Sequence, residues 1–361
     1  MSGHDITSLF KKIDKHFDHE LPFAVYNKPN AKKIIGVFQA DDVHYEIQNY
    51  TEKGFAFASF DGRKTVLIPH DRSQILTADL EDFPIEEDSL ISADFNIDQA
   101  KSHYLELVQK GISAIHNGDF GKVVLSRKES FSVQQFELVS VFQKLLQSYP
   151  TAFNYCFFHP KIGLWLGAFS EQLIRVKNKN LHTMAVAGTQ LYSQKKEAVW
   201  ESKEKAEQQF VTDFIKNSLD AYVSETKVSE PYTMKAGNLV HIKTDIEASL
   251  NDTADLKEVV AILHPTPAVC GFPKDAAKKF ILGNEGYNRE FYAGFLGELN
   301  HDVEKNENST DLYVNLRCMK VENTTVNLYV GCGITKDSIP ENEWLETVNK
   351  SKTIKQVLFN F

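Results

Sequence analysis

Short apolar runs, each ended within a few residues by glycine, asparagine, aspartate or proline, recur along most of this 361-residue chain. Ala24-Val-Tyr-Asn-Lys stops at Pro29, and further runs follow at 34–38, 55–60 and 65–68. Downstream, 122–127, 153–158, 162–169, 239–250, 291–299, 312–320 and 325–330 repeat the pattern. Runs of this length between turn residues read as strands. That many strands must pair with one another, so the chain is constrained to large sheets.

Helical periodicity interrupts the strands rather than replacing them. Ile97, Ala100, Tyr104, Leu107, Val108, Gly111, Ile112 and Ile115 keep a 3.6-residue spacing until Asn117-Gly118 ends it. Other helices are expected over 5–20, 136–148, 196–222 and 256–263, from Pro273 to Leu282 with Gly283 as its stop, and from Glu341 onward. Small-residue turns are expected at 185–189 and at Gly331-Cys-Gly333. Without a solenoid repeat or low-complexity segment, the pattern predicts an α+β fold of large antiparallel sheets packed together with helices outside. Residues 79–94 are acidic and aperiodic, which makes them a candidate linker but one too short for a firm boundary.

With 42% hydrophobic and 25% charged residues, the composition is that of an ordinary globular protein. A net charge of −9 without any basic block excludes nucleic acid as the expected partner. Cys156, Cys270, Cys318 and Cys332 are far apart, which suggests neither a zinc site nor a disulfide framework and fits a reducing cytoplasm. The N-terminus lacks a leader pattern, and no run approaches the length of a membrane span, so the expectation is a cytoplasmic protein without membrane contact.

Several residues carry chemistry. On a helix starting near Glu341, Glu343, Glu346 and Lys350 share one face, as do Glu204 and Glu207 on an upstream helix. Either set alone reads as a solvated surface; convergent, the four carboxylates would suit Mg²⁺. Lys122 begins an apolar strand, where desolvation would favour its neutral form as a general base, although an exposed strand end would look the same. Glu171 follows Gly167-Ala-Phe-Ser as a strand-end acid or a plain loop carboxylate. Arg317, inside an apolar run, needs an anionic partner, structural or bound. Gly188-Thr189 and Gly331 to Gly333 offer backbone N–H groups to carboxylate oxygens.

Taken together and in order, Lys122-Val-Val-Leu-Ser-Arg127, Ser170-Glu171, Ala187-Gly188-Thr189, Lys203-Glu-Lys-Ala-Glu207, Leu263-His-Pro-Thr-Pro-Ala268, Tyr292-Ala-Gly294, Leu316-Arg317-Cys318, Gly331-Cys-Gly-Ile334 and Glu343-Trp-Leu-Glu346-Thr-x-x-Lys350 resemble the chorismate-utilising enzymes. The resemblance implies the fold of anthranilate synthase component I. It also implies one integrated domain, with 1–90 as an N-terminal strand-rich part and 95–358 as the chorismate-binding catalytic region. Lysine rather than glutamine at position 122, and Ala187 rather than lysine before Gly188-Thr189, imply water as the nucleophile. Lys122 would then be the base and Glu171 the acid. Gly188, Thr189, His264, Tyr292, Arg317, Gly331 and Lys350 would bind substrate, and Glu204, Glu207, Glu343 and Glu346 would hold Mg²⁺ directly or through water.

The product implied is isochorismate, for menaquinone or a catechol siderophore. Salicylate synthesis through the same residues and non-catalytic chorismate binding remain as alternatives. The expected partner is chorismate alone, with no glutaminase subunit, and the expected state is a monomer or weak dimer. Two positions depart from the family pattern: Gln208 stands where histidine is usual and Gln190 where arginine is usual.

Overall fold

The computed structural model describes residues 5–80, 97–192, 198–236 and 239–359. A helix, α1 (Ile6–Asp18), precedes six strands: β1 (Phe23–Asn27), β2 (Lys33–Gln39), β3 (Tyr45–Glu46), β4 (Gly54–Ala58), β5 (Thr65–Pro69) and β6 (Ser73–Asp79). Next come α2 (Ile97–His116), β7 (Lys122–Ser132), α3 (Leu138–Ser148), β8 (Phe153–His159), β9 (Gly163–Phe169), β10 (Gln172–Lys177) and β11 (Asn180–Leu191). Then α4 (Ser202–Leu219) leads to β12 (Val223–Val228), β13 (Tyr232–Ala236), β14 (Leu239–Leu250), α5 (Leu256–Leu263), β15 (Gly271–Phe272) and α6 (Lys274–Asn284). The last elements are β16 (Phe295–Leu299), β17 (Ser309–Val314), β18 (Cys318–Glu322), β19 (Thr325–Ile334) and α7 (Pro340–Leu358).

The strands form two antiparallel sheets. One has nine strands in the order β15-β7-β19-β18-β9-β8-β1-β2-β6, and the other ten in the order β12-β14-β11-β10-β17-β16-β4-β5-β3, with β13 added on β14. Strands from the first eighty residues enter both, β1 pairing with β8 and β4 with β16.

The continuous apolar runs have a simple cause. In β1 every residue is buried. Ala24 and Tyr26 face the core between the sheets, while Phe23 and Val25 face a second core under α1, α3 and the end of α7. A strand covered on both faces has no reason to alternate. Between the sheets aromatic rings dominate, with Phe57 stacked on Phe291 at 4.3 Å and Trp165 on Tyr329 at 5.4 Å. Burying each such ring contributes about 1.5–3 kcal/mol.

Several expected boundaries shift. Residues 312–320 are not one strand: β17 lies in the ten-stranded sheet and β18 in the nine-stranded one, with Arg317 at φ 44° between them. The apolar run hides this break because both pieces are buried. Gly331 and Gly333 do not form a turn; they pair within β19 opposite Ser126 and Val124. Residues 185–189 likewise lie inside β11, where the register shifts between Ala187 and Gln190 and Gly188 adopts φ 67°. The strand expected from 291 starts only at Phe295, after a turn with Ala293 at φ 59°. Helix α6 runs through Gly283, and the left-handed glycine is Gly286, φ 74°. Of the helix expected over 196–222, residues 196–197 lie outside the described residues and the remainder is helical only over Ser202–Leu219. Of the acidic stretch 79–94, Asp79 closes β6 and residues 81–94 lie outside the described residues.

A buried ion pair fixes β7 beside the end of α6. Arg289 donates to Glu285 through Nε at 2.8 Å and to the Val124 and Val269 carbonyls at 2.6 and 3.0 Å, while Glu285 accepts from the Ser126 amide at 2.7 Å. Both side chains are 1% exposed. Glu285→Ala would strand the guanidinium in the interior. Its expected cost is about 3–5 kcal/mol, read from denaturant unfolding midpoints, and a loss below about 1 kcal/mol would refute this anchoring role.

Candidate active site

Two chain segments cross from one sheet to the other side by side. Ser170-Glu171 joins β9 to β10, and Asn315-Leu316-Arg317 joins β17 to β18. The corner is stitched by the Val314 amide donating to the Glu171 carbonyl at 2.9 Å and the Ala168 amide donating to the Arg317 carbonyl at 3.3 Å. Asn315 is fully buried there; its amide nitrogen donates to the Phe291 carbonyl at 2.9 Å and its oxygen accepts from the Tyr155 hydroxyl at 2.8 Å. Beside this corner, β19 runs on past its pairing with β18, and a cavity of about 390 Å³ opens.

Lys122, Glu171, Gly188, Thr189, Glu204, Glu207, Tyr292, Arg317, Gly331, Glu343, Glu346 and Lys350 all line this cavity. Of the residues predicted for the site, only His264 is absent from the lining. Its Nε2 lies 3.1 Å from the Ser59 carbonyl and its ring packs edge-on to Phe295 at 5.0 Å. Burial pushes its pKa down to about 4, so it is a neutral core histidine.

Each group is held by its element. Lys122, at the head of β7, is 6% exposed and places Nζ 2.5 Å from Glu207 Oε1 on α4. Room for that pair comes from Gly333 on the neighbouring strand, where a Cβ would sit 3.0 Å from Lys122 Cε and 3.3 Å from Glu207 Oε1. A Cβ on Gly331 would lie 3.0 Å from the Tyr292 hydroxyl and 2.8 Å from the Leu125 carbonyl. Tyr292 stacks on Tyr329 at 5.6 Å, which joins it to the aromatic core. Lys350 Nζ donates to the Gly331 carbonyl at 3.0 Å and pairs with Glu346 at 2.7 Å. Burial alone would lower the pKa of Lys350, but the charge and hydrogen bond of Glu346, together with Cys332, raise it overall.

Glu171 is the poised group. It is half-buried at the cavity wall, and burial pushes its pKa up to about 7 although Lys122, Arg317 and Lys350 all pull it down. Near neutral pH both of its protonation states are populated, as an acid catalyst requires.

His241 on β14 was not anticipated from sequence. Its Nε2 lies 3.2 Å from Arg317 Nη2 and its Nδ1 2.8 Å from the Gly188 carbonyl. A guanidinium only donates, so Nε2 accepts and Nδ1–H donates to Gly188. Burial, then the charge of Arg317, pushes its pKa down to about 3, which keeps this neutral tautomer. Its only sequence signal is a polar residue between Val240 and Ile242 in an otherwise apolar strand start.

The two unusual glutamines lie outside the cavity lining. Gln208 is buried and donates to Thr212 and Thr244 hydroxyls at 2.9 and 2.5 Å. Gln190 donates to Glu204 Oε1 at 3.0 Å, while Glu204 Oε2 accepts from the Glu201 amide at 2.7 Å and so caps α4.

The carboxylates at the cavity fit Mg²⁺ in their donor chemistry, being hard oxygens on two facing helices. Two of them, Glu207 and Glu346, already carry a cation in the form of a lysine ammonium. Among the described residues no three metal-binding side chains gather closely enough to enclose an ion as the side chains stand. No helix among those residues is long and apolar enough to cross a membrane.

Residues 63–359 match the model of the chorismate binding enzyme family, and the chain belongs to that family. It is 30% identical to the salicylate biosynthesis isochorismate synthase of Pseudomonas aeruginosa over 72% of this chain and 55% of that protein. It is 29% identical to the isochorismate synthase MenF of Escherichia coli over 72% of this chain and 60% of that protein. The chain thus spans little more than half the length of these curated relatives. The solved structure of the menaquinone-specific isochorismate synthase from Escherichia coli shares the fold, with a TM-score of 0.79 at 21% identity, covering 98% of this chain and 100% of that one.

The raised pKa of Glu171 has a stability consequence. Folding raises this pKa, so the stability it contributes is complete below the unfolded value near 4.5 and is lost as pH rises through about 7. Glu171→Gln removes that loss. Unfolding measurements should show the variant gaining on the wild type by roughly 2 kcal/mol more at pH 8 than at pH 5, after discounting for solvent in the cavity. An equal gain at both pH values would contradict the raised pKa.

Proposed function

We propose that this protein is an isochorismate synthase, adding water at C2 of chorismate and expelling the C4 hydroxyl. The observation that carries the reading is that Glu171, with a pKa near 7, and Lys122 line the same cavity. The reaction needs one base and one acid, whose environments must differ. Lys122, once it has given up the proton of its ammonium form, takes a proton from the attacking water and the new C2–O bond forms. The ring double bonds shift as the C4–O bond breaks, and Glu171 gives its proton to the departing hydroxyl, which leaves as water.

The remaining groups bind a dianion. Arg317, held by His241, and the Tyr292 hydroxyl receive the enolpyruvyl carboxylate. Gly188, Thr189 and Gly331 position the ring end, beside Lys350. Glu207 and Glu346 would hold Mg²⁺, with Glu204 and Glu343 next to them; when bound, the ion supplies positive charge for the ring carboxylate. Lysine at position 122 and alanine at 187 support water over ammonia or an enzyme amine as the nucleophile. Relatives named for menaquinone and for salicylate biosynthesis support a role in supplying isochorismate to such a pathway.

Purified protein incubated with chorismate and Mg²⁺ should yield isochorismate without pyruvate. Salicylate with pyruvate would move the reading to a salicylate synthase, and no turnover would leave a chorismate-binding protein. Lys122→Ala and Glu171→Ala should each lower kcat by about 10²–10⁴-fold; wild-type rates in both would remove the acid and base assignments.

The pH profile provides a separate check. Acid catalysis uses protonated Glu171, so kcat/KM should decline as pH rises above about 7. A profile flat between about pH 6 and 9 would exclude this acid.

A further inference from the structure

The two carboxylates proposed above to hold the divalent ion are each paired with a lysine of the same cavity. Lys122 Nζ is 2.5 Å from Glu207 Oε1, and Lys350 Nζ is 2.7 Å from Glu346 Oε1. These pairs are partly sheltered: the side chains of Lys122 and Lys350 are 8% and 19% exposed, those of Glu207 and Glu346 23% and 32%. Breaking a sheltered pair is costly because neither charge recovers full hydration. A divalent ion approaching the free protein must therefore displace two ammonium groups and then lie next to them.

Both lysines have somewhere to go. Lys350 also donates to the Gly331 carbonyl at 3.0 Å, a bond it can keep when Glu346 turns away. Beside Lys122 the strand carries Gly333, and the position its missing Cβ would fill is 3.5 Å from Nζ.

We propose that Lys122 and Lys350 are internal counter-ions that occupy the metal carboxylates of the free protein, and that binding of the dianionic substrate draws them off and admits the divalent ion. The inference rests on the isochorismate synthase reading above. It makes substrate and metal binding mutually reinforcing, since what each ligand does to the other's affinity must be reciprocal. It also gives the lysines a role before any chemistry begins.

Calorimetric titration of MgCl₂ into the substrate-free protein tests this, with thermal melts showing that each variant is folded. Lys122→Gln and Lys350→Gln should each bind Mg²⁺ about tenfold or more tightly than the wild type, within the usual range of coupling between sites. Glu171→Gln, expected to retain chorismate largely unconverted because it lacks the proposed acid, should bind Mg²⁺ more tightly with chorismate than without. If Mg²⁺ binds the wild type and both lysine variants alike, or binds the variants more weakly, the counter-ion role is overturned while the metal site stands. If none of these proteins takes up Mg²⁺, with or without chorismate, the metal reading itself fails.

Discussion

The structure depends on a corner. Two neighbouring chain segments leave one sheet and enter the other together, and the hydrogen bonds between them, Val314 to Glu171 and Ala168 to Arg317, continue around the bend. A ribbon that switches sheets in this way opens a wedge between the two layers at the bend. Asn315 fills the inner side of the wedge, satisfied by Tyr155 and by the Phe291 carbonyl. The outer side is left for the site. Glu171 and Arg317 stand at the bend itself, so the proposed acid and a proposed substrate-binding cation lie where the backbone passes from one sheet to the other.

Around that corner the protein handles charge in a confined volume. Six carboxylates, Glu171, Glu201, Glu204, Glu207, Glu343 and Glu346, share the lining with Lys122, Arg317 and Lys350. Most of these groups are answered within the protein: Glu207 and Glu346 by lysines, Glu204 by a helix cap and Gln190, and Arg317 in part by His241. Glu171 is answered by burial, which shifts its pKa to about 7. Each answer leaves a group able to change partner or proton when a ligand arrives, which a purely structural salt bridge between apolar layers would not.

Much of this was legible in the chain, for reasons that differ from residue to residue. Strand runs such as Leu239–Leu250 and helices such as Leu256–Leu263 are local, and their apolar spacing and end signals fix them without reference to the rest of the chain. Lys122 and Glu171 stood out as charged residues at the ends of apolar strand runs, Glu207 and Glu346 because each shares a helix face with a second carboxylate. The break at Arg317 was illegible, because a strand buried in one sheet and a strand buried in the next have the same composition. Gly331 and Gly333 read as a turn because glycine usually marks one. Here it marks space, taken up by Lys122, Glu207 and Tyr292 from distant parts of the chain. His264 was over-read and His241 missed for one reason: an imidazole's role is set by what packs against it, Ser59 and Phe295 in one case, Gly188 and Arg317 in the other.

The order of strands in the nine-stranded sheet also bears on how the protein is made. Strand β7 touches the rest of its sheet through β19, and β9 is joined to β19 through β18. Until the hairpin of β18 and β19 leaves the ribosome, β7 and β9 are therefore edges of two separate half-sheets. Lys122 sits on one half and Glu171 just beyond the end of the other. The proposed acid and base thus come to share a cavity only once β18 and β19 have joined the two halves, and a chain lacking that hairpin would carry both residues without a shared cavity. Such long-range pairing is slow to form, and until it forms β7 and β9 are unpaired edges of the kind that invite aggregation and chaperone binding.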